Sequence, residues 1–142
     1  MIIGITSGYF NPIHQGHIEY ITEAKKLSDK LICVVNNDKQ VEVKKSKKFL
    51  CEEHRIKIVQ ALSSVDMTML SIDTDSTIIK TLDTIKELFK YDDLILFNSG
   101  DRIPFSSSGK INTKEEQFCV DNNIVTEYLL LPKIYSSSEL LS

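Results

Sequence analysis

The chain has 142 residues and a mass of 16.2 kDa, and 42% of its residues are hydrophobic. That length fits one domain, and that apolar fraction supports a packed core and excludes a wholly disordered chain. The net charge of −3 gives no global attraction to nucleic acid or to an anionic membrane. In chain order, residues 2–7 form a short β-rich run that leads into Gly8-Tyr9-Phe10-Asn11-Pro12-Ile13-His14-Gln15-Gly16-His17. Ile18, Ile21, Ala24 and Leu27 then recur at helical spacing and predict a helix over 16–28. Residues 31–36 are nearly continuous in apolar side chains, as a strand covered on both faces is. A lysine-rich loop follows, and a helix is expected over 51–62. Residues 67–72 form a third strand, after which Ile78, Leu82, Ile85 and Phe89 mark a helix capped by Asp75 or a neighbour. A fourth strand at 94–97 is followed by a loop to Asn112, where Thr113 and Glu116 make a capping box that opens another helix. A fifth strand spans 125–131, and Ser136-Ser137-Ser138-Glu139 begins a short final helix.

Five strands interleaved with helices predict an α/β domain over 1–142, with a parallel sheet covered on both faces. In such folds ligands bind outside the carboxyl ends of the strands at a topological switch point, so the loops that follow the strands carry the functional residues. Cys33, Cys51 and Cys119 are widely spaced with no CxxC pair, and read as reduced thiols, two of them packed in the core. No apolar run approaches the roughly 18 residues of a membrane span. The start, Met1-Ile2-Ile3-Gly4-Ile5, lacks the basic segment of a signal peptide. A cytoplasmic protein is therefore expected.

The loop after the first strand has the most chemistry. Gly8 permits a turn, and Gly16 lets a phosphate approach the start of a helix, where free N–H groups and the dipole favour anions. His14 and His17 flank that point and can stabilise charge that grows in a transition state. Two loop histidines with no ligand are the plainer alternative, and it is the weaker one because a histidinium at a helix start is electrostatically disfavoured. A zinc site lacks a third ligand at metal spacing. Of 17 basic residues only Arg55 and Arg102 are arginine, as if a planar, bidentate donor were needed at those two places.

His14-Gln15-Gly16-His17, preceded by Gly8-x-Phe10, resembles the HxGH signature of the nucleotidyltransferase superfamily. Asn36-Asn37-Asp38 is similar to the NxD that closes the second strand in cytidylyltransferase-like members. Lys44, Lys45, Lys47 and Lys48 before Glu53-His54-Arg55 look like the lysine loop and EHR helix of glycerol-phosphate cytidylyltransferase relatives. Val65-Asp66, Ser99-Gly100-Asp101-Arg102 and Tyr135-Ser136-Ser137-Ser138 resemble further segments of the superfamily.

The resemblance implies a Rossmann-like, doubly wound sheet and a reaction. A substrate phosphate oxygen attacks the α-phosphate of a nucleoside triphosphate and pyrophosphate leaves, with no covalent enzyme intermediate. It implies that His14, His17 and Lys44 are catalytic. It implies nucleotide contacts from Gly8, Tyr9, Phe10, Gly16, Lys47, Asp101, Arg102, Lys133, Tyr135, Ser136, Ser137 and Ser138, and substrate contacts from Lys44 and Arg55. It further implies Mg²⁺ held by the triphosphate and water with few protein ligands, and a homodimer that binds neither nucleic acid nor membrane.

Departures from the pattern concern the substrate. Ser63-Ser64-Val65-Asp66 stands where glycerol- and choline-phosphate cytidylyltransferases have RYVD, and Lys133-Ile134-Tyr135-Ser136 is shorter than their RTxGIST. Phe10-Asn11-Pro12 resembles nicotinate-nucleotide adenylyltransferases, whereas His14 argues against the pantetheine-phosphate enzymes, which read TxGH. The stretch from Val65-Asp66 through Ile72-Asp73-Thr74-Asp75 to Gly100-Asp101 is similar to heptose-phosphate adenylyltransferases. The class I tRNA synthetases share an HxGH, but this chain is too short and lacks their lysine pair. The lysine loop and EHR helix favour CTP, with ATP on a sugar phosphate or similar acceptor as the alternative. The other class of function is a catalytically silent nucleotide-binding module.

Overall fold

The computed structural model describes residues 1–45, 47–99 and 114–129. Five strands form one parallel sheet: β1 (Ile2–Gly8), β2 (Lys30–Val35), β3 (Met67–Leu70), β4 (Asp93–Ser99) and β5 (Val125–Leu129), in the order β3-β2-β1-β4-β5. The chain winds outward from β1 through β2 to β3, then crosses back to place β4 on the other side of β1. The switch point lies between β1 and β4, at the carboxyl ends marked by Gly8 and Ser99. This is the doubly wound, Rossmann-like arrangement expected from the alternating pattern.

The period-two alternation of each strand divides the core. Ile3 and Ile5 of β1, Ile32 and Val34 of β2, and Leu94 and Leu96 of β4 pack on one face, against Leu82 and Ile85 of α4 (Ile79–Leu88) and Cys119 of α5 (Lys114–Asp121). Leu31, Cys33, Val35 and Phe97 pack on the other, against Tyr20, Ile21 and Ala24 of α1 (Gln15–Lys26) and Val59 of α3 (Glu52–Gln60). A Cβ at Gly4 would run into the Ser28 side chain, because the end of α1 lies directly on β1 there. Cys33 and Cys119 are buried in the core and their thiols are pushed up to about 12, chiefly by burial. Among the described residues no helix is long and apolar enough to cross a membrane.

The structure adds one helix to the predicted set, α2 (Asp38–Val43), in what was expected to be loop. Its six residues are too few for helical periodicity to register, but a capping box holds it. Asn37 Oδ1 accepts from Gln40 N at 2.9 Å, and Gln40 Oε1 accepts from Asn37 N at 2.9 Å. The cap expected from Asp75 is supplied by its neighbour Asp73. The Asp73 carboxylate accepts from Lys80 N and Thr81 N at 2.8 and 3.0 Å, while Asp75 closes a turn onto Thr77. Val65-Asp66 sits at the opposite end of the sheet from the carboxyl ends. Asp66 Oδ2 accepts from Leu31 N, at the start of β2, and from Lys25, at 2.8 and 2.7 Å, so it fastens the floor of the sheet. The Thr113 half of the other capping box and the final helix lie outside the described residues.

Candidate functional site

The turn out of β1 is built around glycine and an inward phenylalanine. A Cβ on Gly8 would meet the Phe10 ring at 2.9 Å. Phe10 has a φ of 50°, which turns the chain back so that its ring is buried beneath the loop. The edge of that ring stands against His17, with centroids 5.0 Å apart at 78°.

The two histidines form a reciprocal cap on α1. His14 is the N-cap residue, and its Nδ1 accepts from Gly16 N at 3.1 Å. His17 Nδ1 accepts from His14 N at 3.1 Å. Their rings stack at 3.8 Å between centroids and 27° between planes. Because each Nδ1 accepts, the hydrogen-bond network assigns the proton to Nε2 in both rings, and both are neutral. Burial lowers the pKa of His14. Burial, with the neighbouring His14 second, lowers His17 to about 4. The pair thus avoids the repulsion that a cation meets at a helix start, and among the described residues neither Nε2 has a protein partner. Two Nε2–H donors at the start of a 12-residue helix suit phosphate oxygens. As neutral donors they are of the chemical kind that meets growing negative charge without an imidazolium at neutral pH.

The same geometry sets a pH dependence of stability. An unfolded histidine titrates near 6.5, so between that value and about 4 the unfolded chain binds the proton that folded His17 refuses. The contribution of His17 to stability is therefore flat above pH 7 and is lost as pH drops, by about 2 kcal/mol from pH 7 to pH 5. His14 adds to the loss in the same direction. Denaturant midpoints at pH 7, 6 and 5 should show this decline, and His17→Asn should flatten it. A wild-type midpoint that does not move over this range would contradict the neutral assignment.

Arg55 gathers three stretches of chain, at Tyr9, at Asn36–Asp38 and at Leu50. It is fully buried. Its Nη1 donates to Tyr9 O at 2.8 Å and Asn36 O at 2.6 Å, its Nε to Leu50 O at 3.1 Å, and its Nη2 to Asp38 Oδ1 at 2.8 Å. The substrate contact expected from Arg55 is therefore corrected: its guanidinium is enclosed by protein acceptors, and it holds the loops that carry the site. The planar fork inferred from arginine scarcity is used, on three backbone carbonyls and the Asp38 carboxylate.

The lysines divide. Lys44, at the end of α2, places its ammonium 4.3 Å from the centroid of the Tyr9 ring, next to the histidine loop. Lys47 lies over Phe49 at 5.4 Å, and Lys48 is drawn to Asp38 at 3.6 Å. Burial and then Glu115 raise the pKa of Tyr9, which keeps its phenol protonated. Gly8, Tyr9, Phe10, His14, Gly16, His17 and Lys44 thus gather around the end of β1, and Asn11 ties in the backbone of Lys47. Asp101, Arg102, Lys133, Tyr135, Ser136, Ser137 and Ser138 lie outside the described residues. Three residues given no site role from the sequence also build the site: Asn11 and Asp38, quoted there only within motifs, and Gln40. Gln40 is fully buried and donates to Asp75 O and Thr77 O at 2.9 and 2.8 Å, joining α2 to the segment before α4. The Asn37-x-x-Gln40 spacing was the one available signal for it.

An FAD synthase of Archaeoglobus profundus is 41% identical over 75 residues, 53% of this chain and 48% of that protein. An FAD synthase of Thermoplasma acidophilum is 32% identical over 112 residues, 75% of this chain and 79% of that one. The chain spans about half the length of several of the FAD synthases it matches. A crystal structure of a lipopolysaccharide core biosynthesis protein from Thermoplasma volcanium GSS1 superposes with a TM-score of 0.69 at 25% identity, over 94% of this chain and 98% of that chain. Residues 5–88, from the middle of β1 to the end of α4 and including both histidines, match the cytidylyltransferase-like family model, and the chain belongs to that family of nucleotidyltransferases.

Proposed function

We propose that the chain is an adenylyltransferase that joins AMP from ATP to the phosphate of a small acceptor, with FMN as the acceptor and FAD as the product. A phosphate oxygen of FMN forms a bond to the α-phosphorus of ATP. The bond from that phosphorus to the bridging oxygen breaks, and pyrophosphate leaves with the electron pair. The observation that carries the reaction class is the stacked, neutral His14–His17 pair at the start of α1, which leaves two Nε2–H donors there, with the Lys44 ammonium over the Tyr9 ring of the same loop. These groups hold the triphosphate in line and take up charge on the five-coordinate phosphorus, which is the work phosphoryl transfer asks of a protein.

The choice of ATP rests on the relatives named FAD synthase and replaces the expected preference for CTP. That preference came from the lysine loop and the Glu53-His54-Arg55 helix, and the arginine of that helix is buried against three backbone carbonyls and the Asp38 carboxylate. The donors around α1 are N–H and ammonium groups, which suit phosphate oxygens and not a metal. Mg²⁺ would arrive on the triphosphate, liganded by phosphate oxygens and water. Ser136, Ser137, Ser138 and Lys133 remain the residues proposed for the β- and γ-phosphates. A sugar phosphate is the second acceptor considered, on the strength of the lipopolysaccharide-related neighbour.

The test is a thermal-shift comparison of ATP and CTP with Mg²⁺, followed by product analysis with FMN and with a hexose or heptose phosphate. A ligand at a hundred times its Kd stabilises by about 2.7 kcal/mol, a readily measured shift. ATP is expected to stabilise and CTP to do so far less, with FAD and pyrophosphate formed in equal amounts. Stabilisation by CTP alone would overturn the choice of nucleotide, and turnover of the sugar phosphate but not FMN would overturn the acceptor.

A further inference from the structure

Asn11 lies three residues before His14, in the loop whose Phe10 ring is buried against His17. Among the described residues, each side-chain hydrogen bond of Asn11 goes to one short stretch of backbone. Its Nδ2 donates to Lys47 O at 2.8 Å, and its Oδ1 accepts from Phe49 N at 2.9 Å and Leu50 N at 3.2 Å. Those three backbone groups belong to no helix or strand, so Asn11 takes the place of a secondary-structure ladder there. Among the described residues, the other side-chain ties from this stretch to the rest of the fold are Arg55 to Leu50 O and the half-exposed Lys48–Asp38 pair. Arg55 serves two other stretches as well, at Tyr9 and at Asn36–Asp38. Asn11 is the side chain that joins the histidine loop directly to the lysine segment.

We infer that Asn11 is a positioning residue that seats residues 47–50 against the histidine loop, so that the lysine and histidine donors act on one phosphate chain. The amide is the one side chain of this size that satisfies all three groups, since it offers both an acceptor and a donor. An aspartate keeps the acceptor for Phe49 N and Leu50 N but turns a lone pair toward Lys47 O. The kinetic part of this inference rests on the proposed adenylyl transfer, whereas the clamp itself does not.

The experiment compares wild type, Asn11→Ala and Asn11→Asp by amide hydrogen exchange and by steady-state kinetics with ATP, Mg²⁺ and FMN. In Asn11→Ala the Phe49 and Leu50 amides should exchange about tenfold faster, while the His17 and Ile18 amides in the first turn of α1 stay protected. KM for ATP or FMN should rise by about tenfold, with kcat changed less than threefold. Asn11→Asp should leave Phe49 and Leu50 protected and still raise KM, a split that a purely structural role does not produce. Unchanged exchange at Phe49 and Leu50 in Asn11→Ala would overturn the clamp. Faster exchange with unchanged KM would overturn its role in seating the lysines. If Asn11→Ala does not fold, the Asn11→Asp split decides alone. If wild type neither turns over nor binds ATP, the proposed function falls, and local against absent acceleration of exchange then upholds or overturns the clamp.

Discussion

His14→Asn is expected to keep the stability of the wild type and to lose about two orders of magnitude in kcat. The geometry separates the two uses of the imidazole. Its Nδ1 caps α1 by accepting from Gly16 N, and asparagine is among the best residues for that task. Its Nε2–H lies on the far side of the ring, beyond the reach of the shorter asparagine amide. The variant therefore retains the cap and removes one preorganised donor to the transition state, a loss of the size seen when an oxyanion donor is deleted. His14→Ala is expected to lose the same activity and in addition about 1 kcal/mol of stability, because Gly16 N loses its acceptor. His17→Ala combines a similar drop in kcat with the loss of the bond from His14 N and of the edge contact to Phe10. Pyrophosphate release and urea midpoints measured on the three variants decide the matter. Retention of wild-type turnover by His14→Asn would show that the pair is a helix cap and nothing more.

These two roles were not equally visible in the chain. The i, i+3 spacing of His14 and His17 and the intervening Gly16 marked the site, and the alternation of apolar runs marked all five strands. The protonation state was not visible, because it depends on which ring nitrogen meets a backbone N–H, and that follows from the cap geometry. A histidine at a helix start looked unfavourable on charge alone; as a neutral acceptor it is a stabilising cap. Strand ends moved modestly: β4 begins at Asp93 and reaches Ser99, beyond the apolar stretch 94–97, because its flanking residues still bond to β5 and β1. The short α2 escaped periodicity and is held by tertiary contacts of Gln40 to the segment before α4. Arg55 was the hardest to place. Its rarity pointed to a special role, but its partners are three carbonyls and the Asp38 carboxylate, from stretches far apart in sequence that only the topology brings together.

Arg55→Met is expected to be the most destabilising single change in the described structure, by about 3–5 kcal/mol. Methionine fits much of the volume but offers no donor. Tyr9 O, Asn36 O and Leu50 O lose their N–H partner, and Asp38 keeps only its more distant contact to Lys48. Each buried acceptor left without a partner costs on the order of 1–3 kcal/mol before the loops relax, so relaxation of the 9–11, 36–38 and 47–50 segments must absorb part of the sum. Against the 5–15 kcal/mol that usually separates folded from unfolded chains, this is a large fraction. Arg55→Lys should be intermediate, since one ammonium cannot reach four acceptors in a plane. Urea titrations are the direct measure, with a lowered midpoint and, in the folded fraction, a turnover reduced because Tyr9 and the segment bearing Lys47 are no longer held. A direct contact to substrate predicts the reverse pattern, with an unchanged midpoint and a raised KM. Finding that pattern in Arg55→Met would return Arg55 to the ligand-binding set. The buried position and four protein acceptors favour the first outcome, because a guanidinium withdrawn from water and already paired gains little by turning to a ligand and strands its acceptors when it does.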